Sequence, residues 1–118
     1  MRSLRNPNLI YKWNDDLVLG DLCEEKAQLR HHIVWFGEEV PLLDKAIELT
    51  RNADILMIIG TSMQVYPAAN LINYTNSNIP IYFIDPNPQI QQNYYSNLTV
   101  LSEKAGTGVR KVVSQLIP

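Results

Sequence analysis

The sequence predicts an α/β fold: a partial parallel sheet, at most one half of a doubly wound fold, with flanking helices. Three observations carry that prediction. Ile55–Ile59 and Ile81–Ile84 are apolar without alternation, the pattern of strands covered on both faces, as parallel sheets require. Amphipathic segments alternate with these runs at connections of about twenty residues, which suits right-handed βαβ units. The chain has 118 residues, enough for one self-sufficient core but too few for two βαβαβ halves plus a substrate lobe.

Residues 1–30 mix Asn, Asp, Pro and Gly with short apolar pieces and hold no period for more than about two turns, so they read as an irregular lead-in to an organised region, 31–118. Ile33-Val34-Trp35-Phe36, ending at Gly37, is expected to be a buried strand. Pro41 suits the first turn of a helix. Leu42, Leu43, Ala46, Ile47 and Thr50 share its apolar face, and Asp44, Lys45, Glu48 and Arg51 lie opposite. After the Ile55–Ile59 strand, Pro67 opens a second helix with Ala68, Leu71 and Ile72 on one side, ending in Thr75-Asn76-Ser77-Asn78. Ile81–Ile84 is stopped by Asp85-Pro86-Asn87-Pro88, since prolines cannot continue a ladder. Leu98–Leu101 is a weaker strand. Val109, Val112, Val113 and Leu116 fall at i, i+3, i+4 and i+7, the spacing of one helical face.

Composition narrows the function. A net charge of −2 gives no basic surface for neutralising phosphates, so nucleic acid is not an expected partner. No stretch approaches the length of a membrane span, and no apolar run follows the charged N-terminus, so the expected compartment is the cytoplasm and no membrane partner is expected. The Asn-x-Thr triplets at Asn73 and Asn97 are then chance matches. One cysteine, Cys23, excludes an internal disulfide and the paired-cysteine zinc patterns. It sits among Asp21, Glu24 and Glu25, whose charge disfavours a thiolate. His31 and His32 are neighbours, and on an extended chain their side chains diverge, so no metal site is expected there.

In open α/β sheets ligands bind beyond the carboxyl ends of the strands, which singles out three places. At Gly60-Thr61-Ser62 the glycine permits close approach of backbone, and two hydroxyls with exposed amides suit a phosphate or ribose; the same residues also fit a plain capped turn. Asp85 is placed to accept from ribose hydroxyls, and equally to start a turn before Pro86. Lys104-Ala105-Gly106-Thr107-Gly108 is a small-residue turn before the last helix, without the third glycine of the dinucleotide fingerprint.

Leu29-Arg30-His31-His32-Ile33-Val34-Trp35-Phe36-Gly37-Glu38 and Gly60-Thr61-Ser62-Met63-Gln64-Val65-Tyr66-Pro67-Ala68-Ala69 closely resemble, in order and spacing, two signature segments of the sirtuins, the NAD-dependent protein-lysine deacylases. The resemblance covers about residues 5 to 118 and looks like the C-terminal half of a bacterial sirtuin, with His31 where the family often has proline. It implies half of a Rossmann-like NAD-binding domain over 31–118, with residues 1–30 similar to the tail of the family's small lobe. It also implies that Gly60, Thr61 and Ser62 contact NAD phosphate and ribose, that Lys104 and Ala105 lie near adenine, and that Asp85 replaces an asparagine at the ribose. Phe36-Gly37-Glu38 and Val65-Tyr66 resemble the two edges that hold an extended acyl-lysine peptide, with the Val34 carbonyl accepting from the lysine amide.

Several family features do not occur in the sequence. There is no Gly-Ala-Gly-Ile-Ser segment, no Gly-Ile-Pro-x-Phe-Arg loop and no His-Gly pair carrying the general base, and Cys23 alone cannot supply the family's two cysteine pairs, so zinc is not expected. The expectation is a truncated deacylase half, incomplete as a catalyst by itself, whose partial site takes NAD. The alternative is a non-catalytic module that binds ADP-ribose or NAD, or that self-associates; loss of half a sheet exposes an edge, so a homo-oligomer is expected.

Overall fold

The computed structural model describes residues 1–117. They form two compact units, one from Met1 to Glu39 and a second from Val40 onward. The expected division at 30/31 therefore differs from that of the compact units, because the Ile33–Glu38 segment belongs with the first.

The first unit is mostly irregular. Strands β1 (Arg2–Ser3) and β2 (Leu29–Arg30) pair antiparallel, with Ser3 opposite Leu29. Strands of two residues leave no periodic signal. Their inner side holds a small core of Cys23, Ala27 and Leu29, over which Leu9, Tyr11, Trp13 and Leu17 pack. Cys23 stands at a tight turn, its N–H donating to the Ala27 carbonyl at 2.9 Å, and its buried thiol donates to Ser3 Oγ at 3.3 Å. A Ser3 hydroxyl turned to donate to the sulfur favours the thiolate and is the leading cause holding the Cys23 pKa below the ordinary thiol value, against the expectation drawn from the neighbouring carboxylates.

The expected strand at Ile33–Phe36 does not form. All four side chains are exposed, Phe36 by 90%, and the chain instead turns at Phe36-Gly37. An apolar β-branched run tells of surface that favours a cover, and here no neighbouring strand supplies one among the described residues.

The second unit contains the sheet. Helix α1 (Leu43–Arg51) presents Asp44, Lys45, Glu48 and Arg51 to solvent and turns Leu43, Ala46, Ile47 and Thr50 inward, while Leu42 precedes it and remains exposed. Strands β3 (Leu56–Ile59), β4 (Ile81–Ile84) and β5 (Leu98–Leu101) form a parallel sheet in the order β3-β4-β5. Central β4 is the buried strand, with Phe83 and Ile84 at 0% exposure. Burying such side chains contributes about 1.5–3 kcal/mol each. By contrast β3 is an edge strand among the described residues: its residues are half-buried and Ile59 is 41% exposed, so the expected cover on both faces is incomplete.

Ala68–Tyr74 is a 3₁₀ helix rather than the expected α-helix, its amides bonding three residues back at Asn70 N–H to Pro67 carbonyl, 3.0 Å. A further 3₁₀ turn spans Gln92–Tyr94. Helix α2 (Ala105–Leu116) packs on β4 through Gly108 and Val112, while Val113 of the predicted face is 38% exposed. A Cβ on Gly108 would lie 2.5 Å from Ile84 Cγ2, so only glycine allows this approach. Sequence reading gave Gly108 to a turn; it is a contact between helix and strand.

Candidate functional site

The three parallel strands end in step. Ile59 is level with Ile84, and Ile84 with Leu101. The ladder continues one rung further, with Gly60 N–H donating to the Ile84 carbonyl at 2.9 Å and Asp85 N–H donating to the Leu101 carbonyl at 3.2 Å. Parallel pairing thus aligns Gly60 and Asp85 along one edge, with Lys104 three residues beyond the end of β5. Of the sequence-predicted residues, Gly60, Thr61, Ser62, Asp85, Lys104 and Ala105 all belong to this edge.

Local geometry explains each residue. Gly60 has φ +63°, in the left-handed region that favours glycine, and open space where a Cβ would stand. Thr61 Oγ1 accepts from Met63 N–H at 3.2 Å, closing a hydroxyl turn, while Ser62 is exposed. Asp85 Oδ1 accepts from Asn87 N–H at 2.7 Å, so one carboxylate oxygen makes the turn that Asp-Pro suggests and the other remains as an acceptor. Lys104 precedes α2 with extended backbone and no side-chain cap; its carbonyl accepts from Thr107 and Gly108, and the first N–H groups of the helix face outward from the intrahelical ladder. With the helix dipole they favour negative charge. A backbone glycine, hydroxyls, a carboxylate acceptor and a helix start on one edge suit a ribose and phosphates, the polar parts of NAD.

Val65 and Tyr66 lie in the same unit, both exposed, between the Gly60 loop and the 3₁₀ helix. The Val65 carbonyl accepts from Ala69 N–H at 2.9 Å, and the Tyr66-Pro67 peptide is cis.

Val34, Phe36, Gly37 and Glu38 lie in the first unit. Glu38 N–H donates to the Trp35 carbonyl at 3.1 Å across a turn whose third residue, Gly37, has φ +86°. The Glu38 carboxylate accepts from Arg30 Nη1 at 2.5 Å, and its other oxygen accepts from Trp35 N–H at 3.0 Å, Arg30 Nη2 at 3.1 Å and Arg2 Nη2 at 3.4 Å. The Arg30 fork, then the Trp35 N–H, holds its pKa down at about 2. The Glu38 side chain therefore anchors its own loop, leaving the exposed backbone and the Val34 and Phe36 side chains as the outward surface.

Arg2 and Arg30, the anchors of that loop, were absent from the sequence-based site; the signal was present as opposite charges bracketing an apolar run. His31 and His32 are exposed, and among the described residues no three His, Cys, Asp or Glu side chains converge as metal ligands. No helix of the described residues is long and apolar enough to cross a membrane.

The sequence model of the Sir2 family matches residues 6–67. The chain is 48% identical over 120 aligned residues to an NAD-dependent protein deacylase of Helicobacter pylori strain J99, covering 99% of this chain and 50% of that protein. It is 41% identical to an NAD-dependent protein deacylase of Bacteroides thetaiotaomicron, covering 99% of this chain and 51% of that protein. Among solved structures, one described as "Sir2-p53 peptide-NAD+" superposes with a TM-score of 0.65 at 28% identity over 80% of this chain and 40% of that one. Another, "Structure of Sir2Tm bound to a propionylated peptide", gives a TM-score of 0.65 at 28% identity with the same coverage. The chain spans about half the length of the curated relatives it matches. A family model over more than half of the residues, joined to a Rossmann-like sheet that superposes on sirtuin structures, makes the conclusion plain: this chain belongs to the Sir2 family.

Proposed function

We propose that this chain supplies one side of an NAD-dependent protein-lysine deacylase: the carboxyl edge that receives the dinucleotide, and backbone edges for an acyl-lysine peptide. The observation that carries the reading is the in-step ending of β3, β4 and β5, which sets Gly60 and Asp85 on adjacent rungs with the start of α2 following. NAD, when bound, supplies the electrophilic ribose carbon that accepts the acyl oxygen. The chain's residues bind and orient: Gly60 admits the dinucleotide's phosphates close to backbone, Thr61 and Ser62 offer hydroxyls, Asp85 accepts from ribose hydroxyls, and Lys104 and Ala105 border the adenine. Backbone at Val34–Glu38 and at Val65–Tyr66 offers sequence-tolerant hydrogen bonds to extended peptide, with Val34 carbonyl as acceptor for the lysine amide.

The 118-residue polypeptide by itself does not turn over in this reading, since it carries neither a His-Gly pair nor a Gly-Ala-Gly-Ile-Ser segment. A correctly placed base typically contributes 10²- to 10⁴-fold, and positioning contributes more. The reading assigns no zinc to this chain, because Cys23 alone cannot supply two cysteine pairs. The edge of β3 that is unpaired among the described residues favours self-association into a homo-oligomer, and the compartment we propose is the cytoplasm.

Calorimetry with NAD and with ADP-ribose tests the edge: binding to both, weakened by Gly60→Val and by Asp85→Ala, is expected, and absence of heat with either ligand overturns it. The deacylation assay uses the chain alone and mixed with the first half of the Helicobacter pylori relative; no turnover alone is expected, and NAD-dependent turnover by the chain alone overturns its incompleteness. Turnover by the mixture favours an enzyme half. Binding without turnover in either sample favours the second reading, a non-catalytic ADP-ribose module. A monomeric mass by light scattering overturns self-association.

A further inference from the structure

Beside Tyr66, and within the second unit, a cleft of about 710 Å³ opens between the Ser62–Tyr66 loop, the first 3₁₀ helix and the Gln89–Tyr95 segment. Its size falls in the range of ligand clefts. Its lining is chemically uniform in one respect: no Asp, Glu, Lys, Arg or His takes part. The floor is apolar, with Ile72 and Ile90, and the walls carry the amides of Gln64, Asn73 and Gln91 and the rings of Tyr66, Tyr94 and Tyr95.

Part of this wall is held rigid. Tyr95 Oη donates to Asn73 Oδ1 at 2.6 Å, Asn73 Nδ2 donates to Asn70 Oδ1 at 2.6 Å, and the Tyr94 and Tyr95 rings meet edge to face with centroids 5.1 Å apart. The remainder is uncommitted. The rings of Tyr94 and Tyr66 are 72% and 71% exposed, and the Gln91 side chain makes no hydrogen bond among the described residues. Side-chain amides both donate and accept, as a peptide backbone does, and aromatic rings cover apolar or proline side chains without needing charge.

The geometry points to this cleft as the seat of the uncharged residues that flank the acyl-lysine in an extended substrate peptide. This rests on the reading of Val65–Tyr66 as a peptide edge, because Tyr66 belongs both to that edge and to the cleft. A peptide lying along Val65–Tyr66 runs into a surface that can satisfy its backbone through Gln64 and Gln91 and cover a ring or proline with Tyr94. A carboxylate or ammonium entering the same surface loses water and finds no opposite charge, so the cleft selects against charged flanks.

The test uses the full 118-residue chain, isotope-labelled, and three peptides: an acyl-lysine peptide with a Tyr-Pro-Gln flank, the same peptide with glutamates in the flank, and the Tyr-Pro-Gln flank alone, capped at both ends. The expected result is that the neutral acyl-lysine peptide shifts the side-chain amide resonances of Gln64, Asn73 and Gln91 together with backbone Val65 and Tyr66. Calorimetry should show about tenfold weaker binding for the glutamate flank. Tyr94→Ala, at an exposed position that does not carry the core, should erase this discrimination while the Val65 and Tyr66 shifts persist. Equal affinity for both flanks, or shifts confined to Val65 and Tyr66, overturns the cleft and leaves the peptide edge standing. Cleft shifts with the capped flank but none at Val65 or Tyr66 with any peptide supports the cleft and overturns the edge. No shifts with any peptide overturns both.

Discussion

The two compact units are held together by different physics. In the second unit, Ile81, Phe83 and Ile84 of β4 and Val112 of α2 are buried to within a percent or so, so its cohesion comes from apolar area removed from water and from close packing. The first unit buries only Cys23, Ala27 and Leu29 as apolar core and uses two-residue strands; hydrogen bonds and ion pairs, Ser3 with Cys23 and Glu38 with Arg30 and Arg2, take over the work of a large core. Packing defects should therefore damage the second unit, whereas proton and salt concentration should act on the first. The molecule carries its own reporters for this contrast, since both tryptophans, Trp13 and Trp35, belong to the first unit and both α-helices to the second.

The largest expected effect is that of Phe83→Ala. Removing a fully buried ring from the centre of the sheet should cost about 3–5 kcal/mol, read as an early loss of helical circular dichroism on heating or in denaturant. If tryptophan fluorescence in this variant moves together with the helical signal, the contrast between the units collapses. A smaller loss, about 1–3 kcal/mol, is expected for Gly108→Ala, because the added methyl must displace Ile84. An unchanged helical transition would show that α2 can shift outward without cost.

The smallest effect concerns Glu38, and it carries a sign. Its ordinary pKa of 4.5 falls to about 2 in the folded loop. The carboxylate therefore stabilises the loop fully above pH 4.5, and that contribution is lost as pH falls through the interval from 4.5 to about 2. Trp35, whose backbone N–H donates to the carboxylate, should report the change in fluorescence across that window. Glu38→Gln should flatten this titration and loosen the loop already at neutral pH, and high salt should weaken the wild-type anchor. A titration identical in wild type and Glu38→Gln would assign the anchoring to something other than this ion pair.

What the residues revealed in advance follows the same division. Ile81–Ile84 matched its strand residue for residue, because a buried parallel strand is written as an uninterrupted apolar run; Leu98–Leu101 also matched, though as an edge strand with Thr99 exposed it carried a weaker signal. Val109, Val112, Val113 and Leu116 marked α2 by period alone, although Val113 is exposed, and the alignment of Gly60, Asp85 and Lys104 followed once strand ends were known. The failures came where tertiary contacts override local texture. Ile33–Phe36 has strand composition, yet the pairing of Arg30 with Glu38 eight residues later, across a glycine turn, shapes it as a loop. The helix after Pro67 tightened to 3₁₀, and the cleft went unseen because Gln64, Asn73 and Gln91 look like ordinary loop polarity until Tyr94 and Tyr95 stand beside them.

Gly108 has a consequence beyond cohesion. It lies four residues after Lys104, about one helical turn along α2, so the spacing it permits against Ile84 also fixes the height at which the helix start meets the sheet's edge. A missing methyl group thus works as a gauge: its absence sets the turn at Lys104 that the proposed nucleotide site uses, without itself lying in that site. If the proposed nucleotide edge holds, Gly108→Ala should weaken its affinity for ADP-ribose, although Gly108 is not one of the residues proposed to touch it.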